Sequence, residues 1–221
     1  MMNAEKSHRT TLWCCLVIFL LMEIPVRLLV QPDPWLLNPD HWYFTQPLRF
    51  LLELGLIAVL LLVIRQALPQ LLVLERKHLA LLVLGSAGSI VLFGFLEFDQ
   101  LKASFNVAAP RWLLWFLTGF CIGVGQELLY RGLLFTSLAR LMPVKLAALS
   151  TTVLFIVAPL HSVRLVELSS NGHITTVLLL IAVYFAASSF FQWLRERTGN
   201  VIVPGVVHGL GNAITWVAVF S

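Results

Sequence analysis

Apolar residues run through this chain in long stretches broken by single or paired charges, with neither strand-like alternation nor one-faced helical periodicity. The runs between charges predict spans near 11–30, 48–68, 78–97, 111–138, 144–161, 174–194 and 200–220. Each is close to the ~20 residues that an α-helix needs to cross a bilayer, so the expected fold is all-α, a polytopic membrane bundle of about seven transmembrane helices. Leu12–Leu21 follows Lys6, His8 and Arg9 as the core of a signal peptide would. No small-residue cleavage site follows, and the run ends in Glu23, Pro25 and Arg27, so it reads as a retained signal anchor.

Charge then orients the bundle. The connections at 65–77, 139–145 and 195–199 carry Arg65, Arg76, Lys77, Arg140, Lys145, Arg195 and Arg197, and the N-terminal tail adds Lys6 and Arg9. Alternate connections hold only Lys102, Arg111 and Arg164, with Arg27 and Arg49 at their edges. The positive-inside rule therefore places the N-terminus in the cytoplasm and the C-terminus outside. The 31–47 loop, with Trp35, Trp42 and Tyr43, then lies outside at headgroup level.

Composition agrees with the pattern: of 221 residues 59% are hydrophobic and 12% charged, with a mean hydropathy of +0.88. Soluble domains average about 25% charged residues, so that class is excluded, and the length leaves no room for a separate soluble domain. The charge of +4 comes from scattered basic residues that set topology, which argues against a nucleic-acid partner. Cys14, Cys15 and Cys121 form neither a disulfide framework nor a CxxC pair.

Small residues mark close helix approach: Gly85–Ser89, the Gly119/Gly123 pair and the Gly205/Gly209 pair. The first reads as plain packing. The other two flank polar residues, so the gap there is also expected to admit a substrate backbone.

Most charges lie near span ends, including the i,i+4 pairs Glu23/Arg27 and Arg49/Glu53, and read as structural. Inside the apolar runs remain Gln126, Glu127, Arg131, His161, His208 and Asn212. Ionisable groups at membrane depth cost a few kcal/mol, which makes each a functional candidate. Glu127 and Arg131 are spaced for an ion pair, and His208 and Asn212 share a helix face. A carboxylate beside an imidazole can deprotonate a water, and a second His with an Asn can stabilise an oxyanion, which are the parts of peptide hydrolysis. Two His and a Glu can also ligate zinc, but no HExxH is present, and the cofactor question stays open with none required.

These residues carry a resemblance. Gln126-Glu127-Leu128-Leu129-Tyr130-Arg131-Gly132 is similar to the Glu-Glu-x-x-x-Arg-Gly motif of the CPBP intramembrane proteases, the CAAX prenyl endopeptidases and bacteriocin-processing proteins. His208-Gly209-Leu210-Gly211-Asn212 resembles their His-x-x-x-Asn, and Arg197–Pro204 resembles the lead-in. The resemblance divides the chain into N-terminal transmembrane helices at 1–110 and a CPBP-like catalytic core at 111–221. It implies an intramembrane endopeptidase, glutamic-type, hydrolysing a peptide bond near the C-terminal tail or leader of a membrane-associated peptide. Gln126, Glu127, His161, His208 and Asn212 are then catalytic, with Arg131 orienting Glu127. The implied partners are the lipid bilayer and a peptide with a C-terminal sorting signal, and the implied location is a bacterial inner membrane.

Two departures stand out. The family's water-activating base is the first Glu, and here Gln126 holds that place without useful basicity. Three readings follow: an inactivating substitution, a catalytically silent relative that binds a peptide or lipid tail, or Glu127 as the base in a variant geometry. In the middle motif, Phe-x-x-x-His in the family, Phe155 precedes His161 by six positions and Pro159 intervenes. On a straight helix His161 would lie ~25 Å from Val144 and His208 ~12 Å from Asn200, at different depths. His161 is preferred over His173, which sits in a polar loop context. A transporter is disfavoured because no inverted repeat is present.

Overall fold

The computed structural model describes residues 2–26, 48–104 and 108–220, and all regular structure in them is helical. The elements in order are α1 (Met2–Leu21) with a π-helical turn (Met22–Val26), α2 (Leu48–Ala67), α3 (Leu79–Leu96) and the short α4 (Phe98–Ser104). Then come α5 (Ala109–Glu127), a π-helix (Leu128–Leu134), α6 (Phe135–Leu141) and α7 (Val144–Val157). The chain closes with α8 (Pro159–Ser170), α9 (Ile174–Thr198) and α10 (Ile202–Phe220).

Among the described residues five helices are long and apolar enough to span a membrane, or six if the bent pair α7/α8 is one span. The expected helix type holds, and the described residues supply five or six of the about seven spans expected. The apolar N-terminal stretch Thr10–Val26 is shorter than a full span, and Arg27, the Arg49 side chain and the 31–47 loop lie outside the described residues. The chain is an integral membrane protein: its long apolar helices are of bilayer-spanning length, and Val83, Leu84, Val91 and Phe95 on α3 are each more than 60% exposed, as lipid-facing side chains are.

The expected span at 144–161 breaks at Ala158. The ring of Pro159 forces the preceding residue out of the helical region, and Ala158 sits at φ −71°, ψ 162°. Proline, needing no amide partner, then starts α8, bent 54° from α7.

Two elements form the centre. Of an 18-residue apolar stretch within each span, 61% is buried in Ala109–Leu141 and in Ile202–Val219, against 17%, 0% and 11% in the spans on α2, α3 and α9. Glycines set the α5/α10 crossing: a Cβ on Gly119 would meet the Asn212 carbonyl at 2.6 Å, and one on Gly123 would meet Gly209 Cα at 2.7 Å. This corrects the expectation of a substrate gap at Gly119, Gly123 and Gly209, where the facing helix fills the space. Gly205 has ordinary contacts at 3.9 Å to Val124 and Glu127. The Gly85–Ser89 stretch packs α3 on α10, with Ser89 Oγ donating to the Val207 carbonyl at 2.8 Å.

Local signals hold the start of α10. Gly199 caps α9 at φ 68°, a conformation that suits glycine, and the Asn200 side chain accepts the amides of Ile202 and Val203 at 3.0 Å each. These caps fix where His208 falls, two turns further on.

Candidate active site

Glu127 ends α5 and Arg131 lies in the π-helix that follows. A π-turn widens the i→i+4 ladder and releases a carbonyl, and such turns cluster at functional sites. Here the Arg131 carbonyl accepts the Thr136 hydroxyl at 3.2 Å and Arg195 Nε at 3.4 Å. All seven residues of the turn are buried in the bundle.

The carboxylate of Glu127 is the junction. Its Oε1 lies 2.8 Å from His208 Nδ1 on α10 and 3.2 Å from Arg131 Nη1. Arg131 Nη2 donates to the Ser188 carbonyl at 2.8 Å and to Ser188 Oγ at 2.7 Å, and Ser188 Oγ donates to Thr152 Oγ1 at 3.2 Å. Three helices thus clamp the guanidinium, which also lies 5.0 Å from the Phe155 ring centroid. Glu127 Oε2 and Arg131 Nε are buried without a partner among the described residues. Phe191 stacks flat on the His208 imidazole, 4.3 Å between centroids and 12° between planes.

Exposure separates Glu127, Arg131 and His208. The Glu127 and Arg131 side chains are 0% exposed and the His208 side chain 10%. The imidazole is thus the one member of the three that keeps a small exposed surface, while the ion pair is sealed by packing.

Of the other expected residues, Gln126 is buried beside Glu127, and Asn212 is half-buried one turn past His208. Neither hydrogen-bonds to Glu127 or His208 among the described residues. His161 is half-buried in the first turn of α8, with Nδ1 2.6 Å from the Phe155 carbonyl and its ring 4.0 Å from that of Tyr184. The bend at Ala158 accounts for the six-residue spacing, because it turns His161 back onto Phe155, centroid to centroid 4.6 Å. Phe155 also lies 6.2 Å from His208, so both imidazoles share one neighbour and the depth mismatch of a straight helix does not arise. His173 is exposed at the start of α9. Sequence reasoning missed Ser188, Thr152 and Phe191, since nothing in a Ser, Thr or Phe on an apolar helix distinguishes it from packing.

Among the described residues no three His, Cys, Asp or Glu side chains gather as metal ligands. Cys14, Cys15 and Cys121 are free thiols.

Residues 107–214, which contain this whole cluster, match the family described as type II CAAX prenyl endopeptidase Rce1-like. No curated protein and no solved structure matches the chain significantly.

Proposed function

Because the chain belongs to the CPBP family of CAAX-type intramembrane proteases, we propose that it is an active endopeptidase in which Glu127 and His208 form the base. Its substrate is a membrane-associated peptide, cut near a C-terminal tail or a leader. The observation that carries this reading is the 2.8 Å contact between Glu127 Oε1 and His208 Nδ1, whose side chain is 10% exposed while that of Glu127 is fully buried.

In this route the Glu127 carboxylate, held between Arg131 and His208, accepts His208 Nδ1–H, which leaves the lone pair on Nε2. That nitrogen takes a proton from water as the water oxygen attacks the scissile carbonyl carbon. The Glu127 carboxylate offsets the imidazolium charge that forms, in a setting where water is scarce and the interaction is strong. Gln126, His161 and Asn212 serve as hydrogen-bond donors to the water and the oxyanion, roles that need no basicity. The C–N bond then breaks as the imidazolium returns its proton to the departing amine. A glutamine at position 126 is compatible with this route, because the base lies elsewhere.

The basic connections support a cytoplasmic N-terminus, and the compact chain with short loops fits a bacterial inner membrane. A second reading, a silent relative that holds a peptide or lipid tail, is favoured by Gln126 alone.

The test is proteolysis of membrane-anchored peptides by the reconstituted chain, by Gln126→Glu and by His208→Ala, with products read by mass spectrometry. The expected result is cleavage by the chain as it stands and a loss of about 10²–10⁴-fold in His208→Ala, the usual contribution of a general base. Cleavage by Gln126→Glu alone would move the base to position 126, and intact peptide recovered from all three would leave the binding reading.

A further inference from the structure

Outside the region matched to the family, α1 reaches the site through a buried polar contact. Tyr130 precedes Arg131 in the π-helix, is 0% exposed, and donates its hydroxyl to Glu23 Oε1 at 2.6 Å. Glu23 lies in the π-turn after α1 and is itself buried. Phe19, one turn earlier on α1, meets the Tyr130 ring edge-on at 5.2 Å and 80°. Tyr130 in turn meets Phe155 edge-on at 5.1 Å and 79°. Phe155 is the ring that Arg131, His161 and His208 share.

A carboxyl group among apolar helices costs free energy that a Phe against a Leu in the same space would not incur. What the polar pair supplies is direction. Edge-to-face rings tolerate sliding, whereas a hydrogen bond of 2.6 Å to a side chain on another helix fixes where the phenol axis points. Tyr130 is covalently next to Arg131 and three residues from Glu127, so its placement sets the register of the turn that joins them.

We propose that Glu23 is a positioning residue for the site. Through the Tyr130 hydroxyl it holds the Tyr130 and Phe155 rings, and through them the imidazole of His208 and the guanidinium of Arg131. The role rests on the peptidase reading for its effect on rate and stands apart from it for its effect on His208.

The test uses the full-length chain in lipid nanodiscs with Tyr130→Phe, Glu23→Ala, Glu23→Gln and the double variant Glu23→Ala/Tyr130→Phe. Two quantities are read: kcat and KM on a membrane-anchored peptide, and the pH titration of the His208 imidazole by NMR, assigned by its loss in His208→Asn. Tyr130→Phe and Glu23→Ala are expected to lower kcat about tenfold with KM within about twofold, and to shift the His208 titration, since small misplacements cost rate steeply. Glu23→Gln, which keeps an acceptor oxygen, recovers most of the loss, and the double variant is no worse than the poorer single one. The proposal is overturned if Tyr130→Phe and Glu23→Ala leave both kcat and the His208 titration at wild-type values, or if their losses multiply. Should the parent chain cut no peptide, the peptidase reading fails, and the His208 titration alone decides this inference.

Discussion

Glu127 and His208 are 81 positions apart in the chain and 2.8 Å apart in space. The contact joins the two most buried helices at the level where Arg131 also reaches the carboxylate. One carboxylate therefore serves a cation that packing has sealed off and an imidazole that retains an accessible edge. In the proposed reading, Arg131 holds Glu127 and His208 meets the reactant.

Arg131→Leu is expected to destabilise the fold by about 3–5 kcal/mol, because it strands the Glu127 charge in an apolar interior. Arg131→Leu/Glu127→Leu should recover much of that loss, as paired removal of a buried ion pair leaves no uncompensated charge. Equilibrium unfolding in mixed micelles, followed by tryptophan fluorescence, measures both. A double variant no more stable than the single one would show that the Ser188 and Thr152 contacts, and not the carboxylate, dominate.

Gly123→Ala places a methyl 2.7 Å from Gly209 Cα, where only backbone can yield. A loss of about 1–3 kcal/mol is expected from this overpacking. Gly55→Ala, with nothing within 4 Å of the added carbon, is the matched control and should stabilise by up to about 1 kcal/mol through helix propensity. Thermal unfolding of the two variants side by side separates crossing geometry from propensity.

Asn200→Ala removes the side-chain acceptor for the Ile202 and Val203 amides and should cost about 1 kcal/mol. Because this cap sets the start of the helix that carries His208, hydrogen exchange in the first turn of α10 should rise in the variant. Unchanged exchange there would mean that the Val201 amide, bonded to the Leu71 carbonyl at 2.9 Å, anchors the turn by itself.

Glu97, just beyond the Arg76–Leu96 span, has its carboxyl pushed above the usual range, chiefly by burial, with the Thr215 hydroxyl at 3.5 Å opposing the shift. The sign follows from linkage. With the folded value above the unfolded one, near 4.5, the protein loses stability as pH rises between the two and carries that loss at neutral pH. Glu97→Gln retains an acceptor for Thr215 and removes the penalty, so its Tm should exceed wild type at pH 7 and match it near pH 4. A gain that persists undiminished at pH 4 would trace to something other than ionisation.

Sequence alone determined the class of the molecule and picked out Glu127, Arg131 and His208, which the structure brings together. Apolar runs near bilayer length need no partner to be recognised, since a backbone in lipid must satisfy itself as helix. Gln126, Glu127, Arg131, His161, His208 and Asn212 stand out for the same reason, as polar groups where the solvent is hydrocarbon. The caps at Gly199 and Asn200 are equally local. Only tertiary structure decided what those residues meet. A Glu spaced four residues from an Arg predicts a pair, and nothing in that spacing predicts that His208 takes the same oxygen or that Ser188 closes the clamp. The bend at Ala158 is legible in Pro159, yet its consequence, Phe155 between two imidazoles, depends on where α7 packs. Glu23 was legible as half of a surface pair with Arg27, and its bond to Tyr130 was not, because it spans 107 positions. Glycine pairs announce close approach, but whether backbone or substrate fills the gap is settled by the neighbouring helix. Local chemistry is written in residue type and spacing, whereas contacts between distant helices arise from how the whole set of faces packs.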